Sequence, residues 1–174
     1  MSDDHPPIPP DNRILFFRRD RELFPFFSNF YPAPFTIDGE LWATAEHYYQ
    51  SHKSLDPDYR AAIRAATHPG QAKRLSLDPR KARKTRRQSW FFGRRDKIRP
   101  DWDAVKLGIM RTALAAKFGQ NPELAARLVA TGDAELIEDS ASDAFWGLGR
   151  DGTGENRLGR ELMELRAVLR NAGR

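Results

Sequence analysis

Residues 100–119, PDWDAVKLGIMRTALAAKFG, set Trp102, Val105, Ile109, Met110, Ala113, Leu114 and Phe118 at the three- and four-residue spacing of one helix face. An amphipathic helix of this length buries its stripe only against other elements, so the rest of the chain has to supply them. Helix punctuation surrounds it. Thr44 stands ready to cap a helix beginning at Ala45, because its hydroxyl can accept from first-turn amides. Asp56-Pro57 and Asn121-Pro122 each pair a cap residue with proline at the first helical position. Gly119 is a stop signal, and RLGRELMELRAVLR (157–170) is a last amphipathic stretch. Strand signals are fewer: RILFF (13–17), AELIED (134–139), and PFTIDGELW (34–42) with Asp38-Gly39 as a two-residue hairpin turn. These signals predict an α+β, mainly α-helical fold, a single compact domain over 13–172 with a small β hairpin or sheet. The proline-rich residues 1–12, MSDDHPPIPPDN, read as a disordered lead-in.

Cysteine is absent, which excludes disulfides, zinc-thiolate sites and cysteine nucleophiles, and is compatible with the cytoplasm as the expected location. No apolar run reaches the roughly 18 residues of a membrane span, and no membrane partner is expected. The net charge of +5 is unevenly spread: residues 80–99 hold ten of the 29 Lys/Arg and one of the 24 Asp/Glu, leaving 19 basic against 23 acidic elsewhere. Such a block is either a solvated surface segment or a polyanion contact.

Three stretches carry side chains suited to chemistry. In WATAEHYYQSHK (42–53), Glu46 lies in a first helical turn, where a carboxylate simply suits the helix dipole. Lys53, seven residues on, is expected to share its face with Tyr49 and Gln50 as a cleft lining, the alternative being two independent solvated charges. In FFSNFYPAPF (26–35), Ser28, Asn29 and Phe30 form either a turn clamped by packing or a pocket for a sugar or base. In SASDAFWGLGRDGTGENRLG (140–159), Asp143 either caps a short turn or serves a reaction. The glycines there are either loop punctuation or a close backbone approach to a ligand ahead of a helix N-terminus. His47, His52 and His68 form no convincing metal set, and neither metal nor cofactor is expected.

Together these stretches resemble the NADAR family, known for N-glycosidases acting on intermediates of riboflavin biosynthesis. The matching pieces are FSNF (27–30), FTIDGELWATAEHYYQSHK (35–53), RPDWDAVKLGIM (99–110) and LVATGDAELIEDSASDAFWGLGRDGTGENRLGRELMELR (128–166), in the family's order. The resemblance implies an enzyme that hydrolyses N-glycosidic bonds to ribose, with Glu46, Lys53, Asp143 and Trp102 at the family's catalytic positions. A carboxylate favours positive charge developing at C1. A neutral lysine can instead trap a ring-opened C1 as a Schiff base, with Glu46 and Asp143 moving protons. Ser28, Asn29, Phe30 and Tyr49 are expected to line the sugar or base pocket. Trp146, Gly147, Gly149, Asn156 and Arg18 are expected at the phosphate.

The chain departs from the family pattern at residues 76–92, SLDPRKARKTRRQSWFF, which read as a basic insertion. Trp90, Phe91 and Phe92 would be free to stack on unpaired bases if this were a nucleic-acid arm. Three functions are therefore open. The first is an N-glycosidase on phosphoribosylated aminopyrimidines, releasing ribose 5-phosphate, and it is favoured. The second is a hydrolase removing ADP-ribose from guanine in DNA or RNA, with the 80–99 segment as its docking surface. The third is a non-catalytic ADP-ribose or nucleic-acid binding module.

Overall fold

A computed structural model describes residues 7–17, 24–78, 83, 89–91 and 98–172. In chain order its elements are β1 (Arg13–Phe16), a 3-10 turn (Pro25–Phe27), β2 (Phe35–Ile37), β3 (Glu40–Trp42), α1 (Ala45–Ser51), α2 (Pro57–Arg64), α3 (Pro69–Leu75), α4 (Trp102–Gly119), α5 (Pro122–Ala130), β4 (Glu135–Glu138) and α6 (Arg157–Ala172). The architecture is α+β and mainly helical, as the patterning predicts. Among the described residues no helix is long and apolar enough to cross a membrane. The chain forms two compact units, a middle one over Pro32–Lys117 and a terminal one from Met1–Tyr31 with Phe118–Arg174.

The middle unit begins with the hairpin. Asp38 and Gly39 both take positive φ, 52° and 77°, as the type I′ turn demands, and β2 and β3 pair antiparallel with Ile37 opposite Glu40. The return strand feeds straight into α1, because the Thr44 hydroxyl accepts from the His47 amide at 3.3 Å. Phe35, Trp42, Ala45, Tyr48 and Ala113 close one buried cluster. Tyr59, Ile63, Ala72 and Phe91 close a second. Side chains such as Trp42 and Tyr59, fully buried, contribute about 2 to 3 kcal/mol each by removal of apolar surface from water. Asp56 caps α2 as expected, accepting from the Asp58 and Tyr59 amides. The α3 helix starts at Pro69, with proline in its first turn. His68 caps it through Nδ1, which accepts from Gln71 N at 3.2 Å, a ring nitrogen doing what Ser, Thr or Asp usually does.

In the terminal unit β1 lies parallel to β4, Arg13 opposite Glu135 and Phe16 opposite Glu138. Asn12, the last residue of the expected disordered lead-in, accepts from Glu135 N at 2.9 Å. Residues 1–6 lie outside the described chain. Phe16, Phe24, Phe26 and Phe27 are buried together, with the Arg127 guanidinium 4.1 Å from the Phe26 ring centre. Inside the same unit Arg166 is buried and donates to the Thr131 hydroxyl at 2.8 Å and to Ala134 O at 2.9 Å.

Lys117 on α4 is fully buried, and burial pushes its amine down to about 7. From about pH 7 to 10.5 the unfolded chain then holds a proton that the folded chain has released, so stability rises with pH across that window. Urea unfolding between pH 7 and 10 should show this gain in the wild type and its loss in Lys117→Met. Equal slopes would mean that the folded chain keeps the ammonium.

Candidate functional site

Because Thr44 sets the start of α1, Glu46 falls in its first turn, where it is only 5% exposed. One turn on, Gln50 Nε2 donates to Glu46 Oε1 at 2.8 Å and holds the carboxylate in place. Ser76, the C-cap residue of α3, donates from Oγ to Gln50 Oε1 at 2.5 Å. The Tyr59 hydroxyl donates to the Gln50 main-chain carbonyl at 2.8 Å, and burial pushes its phenol upward.

Lys53 does not lie on the face of α1, contrary to the seven-residue spacing. The helix ends at Ser51, and His52 N and Lys53 N turn to Tyr49 O and Gln50 O, three residues back. The cause is local competition. Tyr48 O, which His52 N would use to continue the helix, is taken by His52 Nδ1 and Ser51 Oγ, both at 2.8 Å. Lys53 nevertheless reaches the expected company. Its Nζ lies 5.8 Å from the Trp102 ring centre, and Trp102 packs on Tyr49 with centroids 5.0 Å apart. Trp102, the first residue of α4, is half-buried. Glu46, Tyr49, Lys53 and Trp102 thus all belong to the middle unit, in two contact chains: Glu46–Gln50–Ser76 and Lys53–Trp102–Tyr49.

The histidines have other work. His47 accepts from the Thr44 hydroxyl at Nδ1 and donates from Nε2 to Ala66 O. His52 accepts from Arg60 at Nε2. Burial lowers the pKa of both, consistent with neutral rings. Arg60 also bonds Glu40 Oε2 at 2.5 Å and lies 5.0 Å over the Trp42 ring, while Arg64 pairs with Glu40 Oε1. The two arginines hold the Glu40 carboxyl below its ordinary range.

The remaining sequence-derived residues lie in the terminal unit. Asp143 Oδ1 accepts from Phe145 N at 3.0 Å and Trp146 N at 2.9 Å, capping the short turn. Ser28 Oγ accepts from Phe30 N at 3.1 Å, so this stretch too is a turn, set beside buried Phe26 and Phe27. Asn29 differs: its Oδ1 is buried and has no hydrogen-bond partner among the described residues. Arg18 lies outside the described residues.

The glycine-rich loop does not form the amide cradle that its composition suggests. The amides of Gly147, Leu148, Gly149, Gly154, Glu155, Asn156, Arg157 and Leu158 all donate to carbonyls of this loop and of the segment that follows β4 or ends it. The amides of Asn156, Arg157 and Leu158 that open α6 are therefore already satisfied by its own lead-in. Gly147 has a packing reason instead, since a Cβ there would stand 2.6 Å from Glu138 O. Asn156, at φ 48°, accepts from Glu138 N and donates to Leu136 O, both at 2.9 Å, which ties the loop to β4. Trp146 is buried and meets Phe145 edge to face.

The insertion is also corrected in part. Trp90 and Phe91 are not free to stack on bases: Phe91 is 3% exposed and stacks on Tyr59, and Trp90 meets the same ring edge-on. Trp90 N bonds Leu75 O, and Ser89 Oγ bonds Leu77 O. Phe92 and most of the 80–99 basic residues lie outside the described chain; Arg99, which is described, is paired with Asp101 through both Nε and Nη2. Ser76 and Tyr59 are the site members that sequence reasoning missed. Ser76 is 26 positions from Gln50, and no local pattern marks that contact.

A short hairpin thus delivers a capped helix with a buried carboxylate, followed by a lysine packed on tryptophan. The NADAR domain matches over residues 15–170, and this chain belongs to the NADAR family. It is 44% identical to N-glycosidase YbiA of Escherichia coli over 156 residues, covering 90% of this chain and 88% of that one. It is 40% identical to the riboflavin biosynthesis protein VVA0006 of Vibrio vulnificus over 89% of this chain and 38% of that longer one. The NMR structure of E. coli YbiA superposes with a TM-score of 0.75 at 41% identity, covering 92% of this chain and 86% of that one.

Asn156→Ala should cost about 2 to 4 kcal/mol in urea unfolding, because it strips buried partners from two β4 backbone groups. Unchanged stability with a raised KM would return Asn156 to the phosphate.

Proposed function

We propose that this chain hydrolyses the C1–N bond of a phosphoribosylated aminopyrimidine of riboflavin synthesis, releasing ribose 5-phosphate. The broader class follows from the family and from relatives that are N-glycosidases: it is a hydrolase acting on N-glycosyl bonds. The narrower substrate is supported by the relative named for riboflavin biosynthesis. The observation that carries the chemistry is the buried Glu46 carboxylate, hydrogen-bonded by Gln50, in the same unit as a lysine half-buried against Trp102.

The reaction balances with water alone. Opening of the furanose leaves C1 as an iminium of the exocyclic amine. The Lys53 amine adds to C1, the aminopyrimidine departs with a proton, and lysine and C1 are left joined as a Schiff base. Water then adds to C1, restores the free amine, and releases the aldehyde that recloses to ribose 5-phosphate. Glu46 carries protons between these steps. The Trp102 and Tyr49 rings supply a flat apolar wall suited to a pyrimidine.

The test runs the ribosylaminopyrimidine phosphate and a guanine-ADP-ribosylated oligonucleotide in parallel. Ribose 5-phosphate release from the first is expected, reduced at least about a hundredfold in Glu46→Gln. Borohydride should trap a sugar adduct on wild type and not on Lys53→Met. Release of ADP-ribose from the oligonucleotide alone would replace this substrate with the nucleic-acid one. No product from either would leave a binding module.

A further inference from the structure

The geometry points to Ser76 as a positioning residue for Glu46, acting through a Gln50 carboxamide that serves the carboxyl in both of its protonation states. This deepens the proposed function and rests on its reading of Glu46 as a catalytic carboxylate. The Ser76 hydroxyl has one proton and stands near two acceptors, Gln50 Oε1 at 2.5 Å and Lys73 O at 2.9 Å. With the proton on the line to Gln50 Oε1, the amide presents Nε2 to Glu46 Oε1 at 2.8 Å. That state suits an ionised carboxylate, which only accepts.

With the proton turned to Lys73 O, Ser76 Oγ becomes an acceptor. Gln50 then rotates half a turn about its last torsion, donates from Nε2 to Ser76, and presents Oε1 to a protonated Glu46, which donates to it. The amide oxygen and nitrogen exchange places and the backbone need not move. In both states the Ser76 O–H and one N–H of the Gln50 carboxamide each meet an acceptor along Glu46–Gln50–Ser76–Lys73. A proton-carrying carboxyl needs this reciprocity, since a fixed donor such as an ammonium would favour the charged state alone. The chain is buried, with Glu46 5%, Gln50 3% and Ser76 0% exposed, so bulk water is not at hand to take the place of either partner. Two anchors keep the carboxamide in reach. The Tyr59 hydroxyl holds Gln50 O at 2.8 Å, and Ser76 N is held by Ala72 O at 3.2 Å.

The test compares Ser76→Thr with Ser76→Val, which fill the same volume and differ in the hydroxyl, in wild-type and Gln50→Leu backgrounds. Steady-state kinetics and Tm are measured on the full chain with the substrate on which Glu46→Gln is inactive. Ser76→Val should lower kcat about tenfold or more with KM within about twofold, and Ser76→Thr should retain most of the rate. In the Gln50→Leu background the two should be equal, because the route to Glu46 is gone. If the branched side chains do not fold, Ser76→Ala against wild type reads the same hydroxyl in the same two backgrounds. An equal rate for Thr and Val with Glu46→Gln inactive overturns the positioning role and leaves the proposed function standing. A difference that persists in Gln50→Leu also overturns it. Full activity in Glu46→Gln overturns the proposed function itself.

Discussion

The carboxamide of Gln50 has two ends and a backbone, and each is committed to a different part of the middle unit. Its nitrogen reaches back one turn to Glu46, its oxygen meets Ser76 at the end of α3, and its carbonyl takes the Tyr59 hydroxyl from α2. Three helices therefore converge on one residue that is almost wholly buried. Burying an amide is tolerable only when its groups are paired. Loss of any partner is felt at the carboxylate, the group on which the proposed chemistry depends.

The terminal unit is organised by a different economy, in which polar groups close on the backbone. Asn156 binds the edge of β4 with both side-chain atoms, Asp143 caps the turn ahead of it, and the loop amides satisfy nearby carbonyls. Close backbone approach explains Gly147 and Gly159: a Cβ on the latter would run into Leu136 O. Composition alone reads this loop as phosphate-binding, because glycine permits close approach of either a ligand or another stretch of chain. In this structure the approach is made by the chain itself.

Charge follows the same division between paired and spare groups. Arg60 and Arg64 are spent on Glu40, Arg166 on Thr131 and Ala134, and Arg99 on Asp101. Trp90 and Phe91, expected to face a nucleic acid, are spent on Tyr59. Aromatic residues beside a basic run suggest stacking on bases, but two of these three close a hydrophobic cluster of the enzyme's own core.

What the sequence by itself determined is local: the Asp38-Gly39 turn, the Thr44 and Asp56 caps, the α4 stripe and the strands at 13–16 and 135–138. Each depends on residues at most four positions apart, whose preferences survive in any fold. Glu46, Tyr49 and Trp102 were legible as candidates for the same reason, helped by the resemblance of the motifs around them. Even within this short range, the ring of His52 and the hydroxyl of Ser51 outcompete the next turn of α1 and move Lys53 off the helix. Only the tertiary structure decided that β1 pairs with β4, that Ser76 orients Gln50 from 26 positions away, and that the glycine loop closes on itself. Those contacts join segments whose separate patterns are ordinary, and they exist because packing leaves a buried donor or acceptor no other partner.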